Sequence, residues 1–127
     1  VQSKLPDLSV IDIGATVPEG TKLITSYSED FVSINGEKYY NSIIISQDSI
    51  QKFDGFESLK DLVSGKFSPI IIFGSNSDTQ KTEFKNFITT HLKTISYEIM
   101  SFNSACRTYN ILVQEGREVF TIINFQK

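Results

Sequence analysis

Tryptophan is absent from the 127 residues, and cysteine, histidine and methionine occur once each. A single cysteine cannot form a disulfide within the chain, so the fold is not stapled covalently and a reducing compartment, cytosol or an organelle matrix, is expected. His91 has no Cys, His or paired carboxylate at ligand spacing, so neither a metal nor a cofactor is expected. It is expected near a helix end, where an imidazolium suits the carbonyl dipole. Basic residues are in deficit, 12 Lys and Arg against 15 Asp and Glu for a net charge of -3. That balance argues against a phosphate-binding face and so against nucleic acid as a partner. No apolar run approaches the ~18 residues that span a bilayer. The N-terminus lacks the basic-then-apolar pattern of a signal peptide, so any cleaved targeting segment is expected to be gone already.

What is present suits one globular domain over residues 1–127 with a core of ordinary size, since 39% of the residues are hydrophobic. The apolar alternation at Leu8, Val10 and Ile13, followed by Gly14, Pro18 and Gly20, predicts an edge strand and a loop. β-branched and aromatic residues then dominate "LITSYSEDFVSINGEKYYNSIIIS", with Asn35-Gly36 between two extended stretches. Both residues of that pair tolerate positive φ, which predicts a two-residue type I′ hairpin. "SLKDLVSGKF" predicts a short helix behind a Ser58 cap, stopped at Gly65. The unbroken run "PIIIFG" reads as a strand buried on both faces of a parallel sheet. Phe84, Phe87, Ile88 and Leu92 mark an amphipathic helix after it, and Ile95 to Met100 a second strand. Together they form a βαβ unit, right-handed in ~98% of cases, with its strands parallel neighbours.

From Ser104 the helical pattern resumes. At about 100° per residue, Ala105, Cys106, Tyr109, Leu112, Val113 and Gly116 share one arc of about 120°, a core-facing stripe. Arg107, Ile111 and Gln114 fall on the far side, and Asn110 just beyond the stripe's edge. Small Ala105 and Gly116 bracket Tyr109 and would let the helix approach a sheet closely.

The run "ACRTYNILVQEGREV", preceded by "EIM" and by the glycine-ended strand "IIIFG", resembles the Mth-type domain family. "VSINGEKYYNSIIIS" resembles the same family's strand, Asn-Gly turn and strand, so the similarity covers about residues 31–125. The family includes small archaeal and bacterial domains of unknown function, an adipogenesis-associated protein and a mitochondrial assembly factor for respiratory complex I. The resemblance implies a three-layer α/β fold with a mixed central sheet, flanking helices and an extra β-layer that would suit the Asn-Gly hairpin. It implies the cytoplasm for a bacterial chain and the mitochondrial matrix for a eukaryotic one. No agreed active site comes with it, so it implies no catalytic residue. Where the family has a glycine-containing loop ending near a proline, this chain has "GSNSDTQK".

Function classes follow from placing these residues. Polar loops at the ends of two neighbouring parallel strands form the usual ligand crevice of an open α/β sheet. Gly74, Ser75 and Asn76 on one side, and Ser101, Asn103, Ser104 and Arg107 at a helix start on the other, are candidates for binding a small anion. The structural alternative is that Asn103 or Ser104 caps the helix while Arg107 ties a carboxylate or carbonyl. Cys106 lies on the apolar arc, where a thiol is a small hydrophobe with a raised pKa, and no second cysteine can resolve it. Asp12, Glu98 and Glu115 pair with nothing as acid or base. No reaction follows from the sequence. The preferred expectation is a non-enzymatic module that binds a protein partner, as the assembly-factor relative suggests by analogy. The alternative is a small-molecule or anion-binding protein, with enzymatic activity left open.

Overall fold

The computed structural model describes residues 17–125. The edge strand expected around Leu8 to Ile13, and Asp12 with it, lie outside the described residues. Eight strands and three helices follow in the order β1 (Ile24–Tyr27), β2 (Val32–Ile34), β3 (Glu37–Tyr39), β4 (Ile43–Ser46), β5 (Ser49–Lys52), α1 (Ser58–Val63), β6 (Ile70–Gly74), α2 (Asp78–His91), β7 (Ser96–Met100), α3 (Phe102–Gln114) and β8 (Val119–Ile123).

A mixed five-stranded sheet runs β5-β4-β8-β6-β7, and a separate antiparallel sheet runs β1-β2-β3. β6 sits between two parallel neighbours, with Gly74 opposite Met100 of β7 and Ile123 of β8. Pairing on both edges and helices on both faces account for its continuous apolar sequence. Alternate residues of the sheet divide between two cores. Ile71, Phe73, Phe120 and Ile122 meet α1 and α2 through Leu59, Phe84 and Ile88, while Ile72, Val119 and Ile123 meet α3. On the first face Phe73 stacks on Phe84 at 4.8 Å between ring centroids, with Phe56 edge-on to both. Full burial of a side chain such as Phe73 or Phe84 is worth about 1.5–3 kcal/mol relative to exposure.

The small sheet forms the extra layer, packed across α3 from the large sheet, so α3 is covered on two sides. Its hairpin is the expected one: Asn35 and Gly36 both have positive φ, 51° and 91°. The Asn35 side chain also accepts from Leu23 N–H and donates to the Thr21 carbonyl, tying the turn to the chain entering β1.

The helix caps differ from the sequence reading at two places. Glu57 is already in helical conformation, so Ser58 is the first residue of α1 and turns its hydroxyl back towards the Gly55 carbonyl at 3.4 Å instead of capping. α3 begins earlier than expected, and Ser101, not Asn103 or Ser104, caps it by accepting from Ser104 N–H. Gly116 is a third correction. It is exposed, and a β-carbon on it would meet nothing within 4 Å, so it plays no part in the packing stripe. Its φ of +80° shows the reason for glycine there: the chain reverses out of α3 through a left-handed residue, with Gly116 N–H bonded to the Val113 carbonyl. Gly116→Ala is therefore expected to cost about 1 kcal/mol from backbone strain alone, and Gly116→Asn less, in chemical denaturation. A loss of several kcal/mol would instead indicate a steric clash.

Candidate functional site

The two loops nominated from the sequence do converge. They lie at the carboxyl ends of β6 and β7, but their polar groups are largely spent on one another. Ser75 is fully buried; its N–H donates to the Met100 carbonyl, and its hydroxyl accepts from Ser77 N–H and from Asn124 Nδ2 at 3.0 Å. Asn76 Oδ1 accepts from Phe102 N–H at the start of α3. Ser77 caps α2 and Ser101 caps α3, each through its hydroxyl. Asn124 Oδ1 in turn accepts from the Ser42 hydroxyl, and Ser42 Oγ accepts from Phe125 N–H. Of the nominated residues, Asn76, Asn103 and Arg107 are exposed.

Gly74 belongs to the packing and not to an open loop. A β-carbon on it would come within 2.3 Å of Ala105 Cβ, so the strand and helix meet where neither side carries bulk. This is the close approach the sequence reading had placed at Ala105 and Gly116, moved to the pair Gly74 and Ala105.

A cleft of about 400 Å³ remains beside the loops, lined by Glu29, Asp30, Asn76, Phe102 and Asn103 among others. Glu29 and Asp30 come from the β1–β2 turn, which a one-dimensional reading could not bring to this end of the sheet. Their carboxylates oppose an anion at the α3 start. Among the described residues, no lysine or arginine lines the cleft.

Arg107 points the other way, and its Nη1 donates to the Tyr27 hydroxyl at 2.6 Å. Tyr109 and Asn110 also reach the small sheet. Tyr109 Oη donates to the Lys22 carbonyl at 2.6 Å. Asn110 Oδ1 accepts from Ile24 N–H at 2.9 Å while its Nδ2 donates to the Ile24 carbonyl at 2.7 Å. A carboxamide so placed does for the outer edge of β1 what a neighbouring strand would do. The run Arg107 to Asn110 is thus a seam between α3 and the small sheet.

Behind the seam, Cys106, Tyr109 and Val113 are buried and Leu112 is half-buried against the same core. Burial pushes the Cys106 thiol up to about 12, against a smaller lowering by Arg107. Burial also raises Tyr109, with the charge of Asp48 adding to it. A thiol raised in the folded state keeps its proton where the unfolded chain would lose it. The stability it contributes is complete below about pH 9 and is lost as pH rises towards about 12. We expect Cys106 to react with thiol reagents only on unfolding, and Cys106→Ala to show a shallower fall in stability across that alkaline range than the wild type. Rapid labelling of the folded protein would contradict this placement.

Glu98 and Glu115 are exposed, and His91 closes α2 with its ring 4.8 Å from that of Phe87. No group of three or more His, Cys, Asp or Glu able to hold a metal occurs among the described residues. Among the same residues, no helix is long and apolar enough to cross a membrane.

Two sheets enclosing α3, with a βαβ unit in the larger one, define an Mth938-like α/β domain, the fold of a Bordetella pertussis protein bearing that description. The chain belongs to the DUF498/DUF598 family of proteins of unknown function, whose pattern matches residues 24–123. The Bordetella solution structure is 15% identical, with 90% of this chain and 92% of that one aligned at a TM-score of 0.59. A Xanthomonas campestris solution structure is 17% identical over 92% and 96% of the two chains, with a TM-score of 0.60. The crystal structure of an outer membrane protein from Bartonella henselae is 20% identical over 83% and 95%, also with a TM-score of 0.60. At these identities the likeness is one of fold. No curated protein sequence matches the chain.

Proposed function

We propose that this domain is a non-enzymatic module that binds another protein and holds it in an assembly. The observation that carries this reading is the self-satisfied state of the strand-end loops. Ser75, Asn76, Ser77, Ser101 and Asn124, the groups best placed for a ligand, bond one another or the backbone. An anion there would also face Glu29 and Asp30. The small sheet, by contrast, offers an outer edge strand, β3, which among the described residues has a hydrogen-bonded neighbour on one side only. Tyr40, 57% exposed, follows it, with its ring 6.2 Å from Phe31 and Lys38 Nζ over the Phe31 face. Aromatic residues beside a free strand edge suit a protein contact.

Thermal unfolding with phosphate, sulfate and carboxylate anions tests the choice. No shift is expected for the wild type. Arg107→Ala, which loses one partly buried, charge-assisted bond to Tyr27, should lower stability by about 1–3 kcal/mol and should respond to no anion either. A stabilisation by one anion that disappears in Arg107→Ala would overturn the reading. Its positive arm is capture from native extract, followed by titration of the purified captured protein against wild type and Tyr40→Ser. Saturable binding weakened by the variant is expected.

A further inference from the structure

Phe67 is 89% exposed, against 57% for Tyr40 and 55% for Ile111. It sits in the connection from α1 to β6, and that connection is pinned. Lys66 N–H bonds the Val63 carbonyl, Lys66 Nζ lies 3.6 Å from Glu118, and Ile70 N–H bonds the Glu118 carbonyl. Between these ties Ser68 has a φ of 52°, a left-handed conformation that a residue with a β-carbon adopts only when its surroundings impose it. A constrained backbone therefore displays an aromatic ring to solvent. Aromatic residues, phenylalanine among them, are enriched in the cores of protein interfaces.

Beside the displayed ring lies a cleft of about 470 Å³, lined by Asp48, Asp61, Leu62, Lys66, Arg117 and Phe120 among others. It opens at the end of the sheet where β6 and β8 begin, opposite the strand-end loops. Arg117 has no carboxylate partner among the described residues, and neither Asp48 nor Asp61 has a cationic one. The patch thus combines a projecting ring, a concavity, an unpaired guanidinium and two unpaired carboxylates. Projection and concavity side by side, with charges of both signs, are the two halves that an isologous contact requires on one patch.

We propose that the chain pairs with a second copy of itself through this end, Phe67 of each protomer entering the other's cleft. In that arrangement the Arg117 guanidinium of one copy stacks on the Phe67 ring of the other, and its charge meets Asp48 and Asp61. Because each copy offers both halves of the contact in one place, the assembly closes at two. A lipid surface suits the patch poorly, since Asp48, Asp61 and Glu118 outnumber its two cations, Lys66 and Arg117. The pairing uses neither Tyr40 nor β3, so it stands or falls apart from the partner-binding reading above.

Sedimentation velocity on the purified chain over a concentration series is the test. A reversible monomer–dimer equilibrium is expected for the wild type. Phe67→Ser should shift it to monomer, and its melting temperature should match that of the wild type at dilutions where both are monomeric, because the side chain contributes nothing to the core. Arg117→Glu should weaken the dimer at least tenfold, and more at low salt, where like charges now face one another. A wild type that stays monomeric at the highest attainable concentration would overturn the proposal. So would a dimer indifferent to Phe67→Ser, or an open series of larger species.

Discussion

Asn110→Ala is expected to cost about 2–5 kcal/mol in equilibrium denaturation, a large share of the 5–15 kcal/mol typical of such domains. The substitution removes no apolar packing. It strands both backbone groups of Ile24, each buried and each bonded to the Asn110 carboxamide, and each stranded group costs about 1–3 kcal/mol. Asn110→Asp separates the two bonds. A carboxylate can still accept from Ile24 N–H, but its other oxygen would face the Ile24 carbonyl, so a comparable loss is expected at neutral pH with partial recovery on acidification. A variant as stable as the wild type would mean that β1 does not depend on α3 for its outer edge.

Gly74→Ala is the second large effect, expected at about 1–3 kcal/mol or more. The new methyl would lie 2.3 Å from Ala105 Cβ, and neither carbon can rotate away because both are fixed to backbone in regular structure. The strand and helix must therefore separate, opening the core around Phe102 and Cys106. The double change Gly74→Ala with Ala105→Gly moves the methyl across the interface. It should recover most of the loss, short of the roughly 1 kcal/mol that glycine costs inside a helix. Additive losses in the double variant would show that the contact is not the cause.

Much of the fold was legible because its strongest elements carry local patterns. The run Ile70 to Phe73 has no polar residue to place outward, so it belonged inside a sheet; Asn35-Gly36 selected its own turn. The stripe on α3 was also legible, apart from Gly116, because a left-handed exit and a close contact both call for glycine and the sequence does not separate them. Asn110 was missed for a different reason. A helical wheel supposes one buried face, whereas α3 is covered by two sheets, and an amide can be buried wherever it replaces a strand's hydrogen bonds. Glu29 and Asp30 were missed because their approach to the strand-end loops depends on how the small sheet packs. Phe67 gave no signal at all, since a single phenylalanine in a loop does not reveal whether it faces in or out.

The run Arg107 to Asn110, the most distinctive stretch of the chain, is at the centre of this structure as a seam between α3 and the small sheet. Amide hydrogen exchange at Ile24 tests that most directly. With the Asn110 bond in place, the Ile24 amide should be protected nearly as well as those of central β6, and Asn110→Ala should release it selectively while Ile72 remains slow. An Ile24 amide that exchanges freely in the wild type, or that keeps its protection in Asn110→Ala, would contradict the seam.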